Sequence, residues 1–315
     1  MKACTVKAFL TITVFSITFS VEAQIPAGDG YFWYRGNTHT HARYSDDNEI
    51  NDVPMIARWY REAGYNFLLL SEHNNHLLER KIFCYDRLSR PKENFIMICG
   101  LELSMSRHVT ALGIDRFLSG ERSLREAVTM TLSAGGVPVL NHPMDPVVTA
   151  KEFIETDGLN HIEIVNGGRL LDTPASIALW DSVMSEPGGR IIYAVAADDN
   201  HYSRQRVGRG WIMVKAKSLS KSEIIESIRS GNFYPTTGVI LDFTRTDGKS
   251  FHVSSQNGDT IKFFGRYGKL LGSEAGKDAS YLFNGDELYV RAEVTDRQGK
   301  TAWTQPVMIK GGGNH

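Results

Sequence analysis

Imidazole and carboxylate side chains gather at the ends of short apolar stretches of this chain. Asn37-Thr38-His39-Thr40-His41 is followed at once by Ser45-Asp46-Asp47. Further on come Ser71-Glu72-His73-Asn74, Gly100-Leu101-Glu102, Asn141-His142-Pro143 and Asp198-Asp199-Asn200-His201. These are the donors that bind divalent cations of intermediate softness. One such group carries little weight, but several at strand ends point to a centre with more than one metal, and so to a hydrolase. Two cations held close together polarise a substrate oxygen and generate hydroxide near neutral pH. Residues two apart in an extended segment share a face, so His39 and His41 grip one region, as do Asp199 and His201. The set mixes nitrogen and oxygen without thiolate, which suits Zn, Mn or Fe and speaks against a structural zinc site.

Donors this far apart in sequence need a scaffold that collects strand ends. Residues 67–71, 95–99, 137–141, 162–165 and 191–196 read as strands, and 53–63, 123–134, 174–184 and 219–230 as helices, with Ser123 and Ser222 near helix starts. The alternation implies parallel strands with helical crossovers, a barrel-like α/β unit whose active site forms at the C-terminal strand ends. After Leu241 the pattern becomes short and alternating, broken by Asp247-Gly248, Asn257-Gly258 and Asn284-Gly285. That is a small, sandwich-like all-β domain over 241–315, appended to a catalytic unit over 24–240.

The N-terminus indicates location. Lys2 and Lys7 precede an uncharged apolar run over 8–19, and Val21-Glu22-Ala23 has the form of a cleavage site. A signal peptide over 1–23 is expected, giving a periplasmic or secreted protein that begins at Gln24. A membrane anchor fits less well, because the run is short of the roughly 20 residues a spanning helix needs; the mature chain is expected to have no transmembrane segment. Cys84 and Cys99 remain after the leader. They could pair in an oxidising compartment, but Cys99 lies in a buried-looking strand and a free core thiol fits equally. Composition is that of a globular protein with a sizeable core: 42% hydrophobic, 23% charged, net charge −1. No basic run or aromatic-interleaved basic stripe supports binding to a nucleic-acid polymer.

The order of these clusters resembles the PHP superfamily, named for polymerase and histidinol phosphatase domains. Its members carry H-x-H with a following Ser-Asp, a strand end like [TS]-[DE]-H-N, a Gly-x-Glu, an N-H-P-like element and a final D-x-H. The opening Trp33-Tyr34-Arg35-Gly36-Asn37-Thr38-His39, the stretch His161-Ile162-Glu163-Ile164-Val165-Asn166-Gly167 and Phe233-Tyr234-Pro235-Thr236-Thr237-Gly238 look like the carbaryl-hydrolase-like branch. The resemblance spans about residues 33–240. It implies a distorted (β/α)7 barrel holding two or three divalent ions. It also implies a ligand set of His39, His41, Asp46, His73, Glu102, His142, Asp199 and His201, with Glu102 bridging two ions. Glu72 stands where Asp is more usual before the histidine and is expected to orient an imidazole. Asp199 is chosen over Asp198 because only Asp199 has the D-x-H spacing to His201.

The expected activity is metal-dependent hydrolysis of a phosphomonoester or phosphodiester. Glu102, Asp199 and His201 are the catalytic candidates, and Asp199 or His201 would hand a proton to the leaving oxygen. Arg43 and His108 would face the substrate, although a solvated Arg43 and a structural His108 are equally compatible with the sequence. Glu163 and Asn166 read as supports for the ligands. His76 and His161 read as structural or exposed, and Arg204, Arg206 and Arg209 as a solvated loop. A carbamate or carboxyl ester hydrolase with the same centre is the alternative, and a metal-dependent binding protein without turnover is the second. The substrate would be a small molecule or an ester fragment derived from a glycan or lipid. No G-x-S-x-G, G-K-[ST] or H-E-x-x-H occurs.

Overall fold

In the computed structural model, residues 25–46, 52–77, 84–201 and 203–309 are described. The expected leader over 1–23 and His315 lie outside them. The elements run β1 (Ile25–Gly28), β2 (Tyr31–Asn37), α1 (Arg43–Asp46), α2 (Val53–Glu62), β3 (Phe67–Leu69), β4 (Ile96–Ile98), β5 (Gly100–Leu103) and β6 (Val109–Leu112). Next are α3 (Leu124–Ser133), β7 (Val137–Leu140), α4 (Ala150–Ile154), β8 (His161–Asn166), α5 (Thr173–Ser185), β9 (Tyr193–Ala197), β10 (Trp211–Ala216), α6 (Lys221–Arg229) and β11 (Phe233–Thr236). The remainder is strand apart from a 3-10 turn at Arg266–Gly268: β12 (Leu241–Thr246), β13 (Ser250–Ser255), β14 (Thr260–Gly265), β15 (Lys269–Ala275), β16 (Asp278–Leu282), β17 (Tyr289–Thr295), β18 (Thr301–Trp303) and β19 (Val307–Met308).

The helices form where periodicity and caps place them. In α2 the buried Val53, Ile56, Ala57 and Tyr60 make one apolar stripe. Ser123 caps α3 by accepting from the Glu126 N–H. Ser220, rather than Ser222, caps α6 through the Glu223 N–H. No helix among the described residues is long and apolar enough to cross a membrane.

The fold is mixed α/β, with many strands and few helices, and the expected closed barrel is not formed. One large sheet runs β15-β14-β17-β18-β11-β10-β2-β3-β4, with β1 on β2 and β19 on β17; a second runs β5-β6-β7-β8-β9; a third is β12-β13-β16. Among the described strands β2–β3–β4 and β7–β8–β9 pair in parallel, whereas β5–β6–β7 and β2–β10–β11 are antiparallel. Two local features explain the departure. The link from Leu103 to Val109 is too short for a helical crossover, so β6 must turn back on β5. The far edge of β11 pairs with β18, through Thr236 opposite Ala302, rather than with β9, and β4 does not pair with β5.

Tyr34, Phe67, Leu69, Leu112, Val137, Val195, Ile212 and Val214 form an apolar core drawn from the large and the five-stranded sheet. Ile224 and Ile228 of α6 belong to it, and α6 covers the N-terminal end of β8, where His161 Nε2 meets the Ile228 carbonyl at 2.9 Å. The C-terminal strand ends lie at the opposite side. Gly36 is required within β2, since a Cβ there would sit 1.9 Å from the Phe67 ring. Cys84 and Cys99 are joined in a disulfide, resolving the pairing that spacing left open.

Candidate metal centre

Backbone pairing at the strand ends draws the clusters together. After β2, the His41 N–H donates to the Asn200 carbonyl (3.0 Å) and the Asp199 N–H to the His39 carbonyl (2.9 Å), which lays H-x-H beside D-x-H. On the other side the Glu102 N–H donates to the Glu72 carbonyl (3.0 Å) and the Asn74 N–H to the Glu102 carbonyl (2.9 Å), so His73 stands next to Glu102. Gly167 lets the loop after β8 close on this region, because a Cβ there would lie 2.6 Å from the Asp198 carbonyl oxygen. His142 and Asp199 have positive φ, 24° and 45°, a strain that non-glycine residues carry mostly at functional positions.

The side chains then converge. His39 Nε2 lies 3.1 Å from His41 Nε2, 3.2 Å from Asp199 Oδ1 and 3.3 Å from Glu102 Oε1. His41 Nε2 lies 3.3 Å from Asp199 Oδ1 and 3.5 Å from Glu102 Oε2. Donors sharing a tetrahedral zinc ion with bonds near 2.1 Å sit roughly 3.4 Å apart, so these separations match the edges of one coordination shell. Around the other side of the carboxylate, His73 Nδ1 is 2.8 Å from Glu102 Oε2, and His108 Nδ1 is 3.1 Å and His142 Nε2 3.6 Å from Oε1. His201 Nε2 meets Asp199 Oδ1 at 3.0 Å, and its ring stacks on His41 at 4.2 Å. Glu102 thus faces imidazoles with both oxygens, as a bridging carboxylate would.

Two observations test whether these residues fit a cation. Glu102 Oε2 is buried and makes no hydrogen bond, despite the short approach of His73; proximity without hydrogen-bond geometry is what two ligands of a common ion show. The imidazoles are also oriented from behind. Glu163 Oε1 takes His39 Nδ1 at 3.1 Å and the Asp145 carbonyl takes His142 Nδ1 at 2.8 Å, which leaves each Nε2 to face the cluster. The second Glu163 oxygen accepts from the His142 N–H (2.7 Å) and from Asn166 Nδ2 (2.9 Å), and Asn166 also donates to Asp199 Oδ2 at 3.0 Å. The residues fit a divalent metal site.

Electrostatics point the same way. Burial alone would raise the carboxyls and lower the imidazoles. Instead His39 holds Glu102 and Asp199 well below the carboxylate range, helped by His108 and His142 at Glu102 and by His201 and His41 at Asp199. Against its own burial, His39 is in turn held well above its ordinary value by Asp199, Glu102 and Glu163. For His41 burial wins and keeps the ring neutral, near 3. Buried carboxylates this dense require positive charge, and a divalent ion supplies it without protonating the nitrogens that must bind it.

His39, His41, His73, Glu102, His142, Asp199 and His201 are brought together; Asp46 ends α1, and its side chain lies outside the described residues. His108, read as substrate-facing or structural, stands within ligating distance of Glu102 and groups with His73. Arg43 is exposed and its guanidinium lies over the Tyr44 ring at 4.9 Å. Glu72 supports the H-x-H loop by accepting from the Ala42 N–H at 3.0 Å. Asp198 accepts from the N–H groups of Gly208, Arg209 and Gly210 and from Tyr65 OH, so it organises the following loop, while burial raises its carboxyl. Arg204 pairs with Glu62, and Arg209 donates to the Gly167 carbonyl. Asn141 went unassigned in the sequence; its Nδ2 donates to Glu102 Oε1 at 2.7 Å. Glu121 had no sequence signal, being isolated in a loop; buried, it accepts from Asn74 Nδ2 and the Met105 N–H and so fixes the segment after His73.

No protein-family model matches the chain, and no curated protein matches it. Among solved structures the chain is similar to a two-domain protein from Bacteroides vulgatus ATCC 8482 that contains a predicted PHP-like metal-dependent phosphoesterase. That match has 16% identity and a TM-score of 0.49, and covers 90% of this chain and 98% of the other. A second is an amidohydrolase from Chromobacterium violaceum with bound sulfate and no metal, also at 16% identity, with a TM-score of 0.41 and coverage of 63% and 96%. With identities this low, function is read from the site's own residues.

Proposed function

We propose that this protein is a metal-dependent hydrolase of esters, with phosphomonoesters or phosphodiesters as its substrates. The observation that carries this reading is the convergence of six imidazoles with Glu102 and Asp199 at coordination distances. Two divalent ions, Zn, Mn or Fe, would outweigh these two carboxylates and leave a site that attracts an anionic oxygen. Such ions, when bound, polarise the scissile group and lower the pKa of water. The chain's own residues do the rest. Glu163 and the Asp145 carbonyl fix the His39 and His142 rings, Asn166 fixes Asp199, and Glu102 spans the two halves of the cluster. His201, partly exposed and 3.0 Å from Asp199 Oδ1, would pass a proton to the leaving oxygen. The order of the clusters, which resembles that of the PHP superfamily, supports the same reading.

A carbamate or carboxyl ester substrate is the second reading. It is favoured by exposed apolar side chains on the loops after three of the site's strands: Met105 after β5, Val147 after β7 and Leu171 after β8. Arg43, turned onto Tyr44, also leaves the phosphoester reading without its expected clamp. Export to the periplasm or beyond is supported by the leader pattern and by the Cys84–Cys99 disulfide, a bond that persists in oxidising compartments.

The test is elemental analysis of the purified protein, followed by phosphomonoester, phosphodiester, carbamate and carboxyl ester substrates with each metal. At least one divalent ion per chain and hydrolysis abolished by chelator are expected. His142→Ala should lower the metal content and reduce turnover by about 100-fold or more, with an unchanged circular dichroism spectrum. Full turnover in a metal-free preparation would reject the proposal.

A further inference from the structure

The three-stranded sheet carries a groove of about 430 Å³, within the roughly 300–1,000 Å³ range of ligand sites. Register fixes what its outer face presents. Arg245, His252 and Ser280 lie side by side across β12, β13 and β16, and Phe243, Ser254 and Asp278 form the adjacent row. Glu274 of β15 adds a second carboxylate to the rim. Phe243 is 41% exposed, an unusual position for a phenyl ring, and the Arg245 guanidinium lies 5.2 Å from its centroid. His252 is engaged at both nitrogens, by Ser280 Oγ at 2.7 Å and Asp247 Oδ2 at 3.2 Å, so it builds the wall. Arg245, Glu274 and Asp278 form no ion pair with any described residue, although opposite charges line one groove.

We infer that this groove binds a neutral pyranose sugar through the Phe243 ring, the Arg245 guanidinium and the Asp278 and Glu274 carboxylates. The chemistry selects the ligand class. An anion would meet two carboxylates and a cation would meet Arg245, so neither suits the mixed lining. A sugar hydroxyl both donates and accepts, and so satisfies guanidinium and carboxylate at once. The apolar face of a pyranose ring covers an aromatic side chain that otherwise remains in water. The groove draws on none of the metal-centre residues, so its ligand and the ester substrate are separable.

The experiment presents the full-length protein to an array of neutral monosaccharides and oligosaccharides, with sulfated and sialylated glycans alongside, and measures affinity for the best binder by calorimetry. Binding to neutral sugars is expected, with Phe243→Ala and Arg245→Met each weakening it about ten-fold or more. Chelator-sensitive hydrolysis, where present, stays unchanged in both variants. Monosaccharide binding would identify a single-ring site, and binding only to oligosaccharides an extended glycan; both support the assignment. Binding to no neutral sugar, binding to acidic glycans alone, binding unaffected by Phe243→Ala, or binding abolished by chelator would each overturn it. Since Phe243 and Arg245 are solvent-facing, unchanged thermal unfolding of the variants separates lost binding from lost fold.

Discussion

His39 shows how much one side chain is asked to do. Its Nε2 lies within 3.3 Å of His41, Glu102 and Asp199, and only its Nδ1 contact with Glu163 decides which nitrogen faces them. Glu163 supports His142 as well, through the backbone N–H, so one carboxylate orients two candidate ligands. Glu163→Gln keeps the shape but weakens the acceptor and permits the wrong His39 tautomer. Metal affinity measured by competition with a chelator should fall by about 10–100-fold, while thermal stability of the metal-loaded protein changes little. An unchanged affinity would show that Glu163 does not orient His39.

At the scale of elements, the end of the molecule away from the metal cluster relies on a buried neutral imidazole. His161 opens β8 and donates through Nε2 to the Ile228 carbonyl of α6, and burial pushes its pKa down to about 4. The unfolded chain, with an ordinary value near 6.5, takes up the proton first. The stability that goes with burying this ring in its neutral form is therefore fully present above about pH 6.5 and is lost as pH falls towards 4. Between pH 7 and pH 5 the loss from this residue is roughly 2 kcal/mol. Urea unfolding of His161→Gln should show a shallower decline over that interval than the parent protein; identical slopes would mean that the ring titrates normally.

Across the whole molecule, the large sheet ignores the composition change near residue 240. β11 pairs with β18, and the core beneath joins Ile56, Tyr60 and Trp211 to Phe251, Phe263, Val290 and Val294. A second connection is ionic. Arg291 of β17 is buried, forms a two-pronged contact with Asp181 of α5 at 2.8 and 2.7 Å, and lies between the Trp180 and Phe264 rings. Arg291→Met would strand the Asp181 charge and should cost about 3–5 kcal/mol in denaturant unfolding. Adding Asp181→Asn should recover part of that loss. Calorimetry of the parent protein should give one transition, because the shared core prevents either half from unfolding alone; two resolved transitions would refute that coupling.

The amino-acid order by itself determined which groups could bind metal, because donor type and i, i+2 spacing are local properties. His39 and His41, or Asp199 and His201, can be read from a handful of residues. It likewise indicated α2, α3, α5 and α6, whose apolar stripes are local, and β3, β4, β7, β8 and β9, but not α1, α4 or most of the other strands. Tertiary structure alone decided that the sheets stay open, because closure depends on which edge finds a partner, and β18 reaches the β11 edge from some sixty-five residues away. It also decided the company each side chain keeps. His108 stands at Glu102, Asp198 is drawn into the 208–210 loop, and Arg43 lies over Tyr44, since long-range packing sets the direction of a side chain and sequence spacing does not.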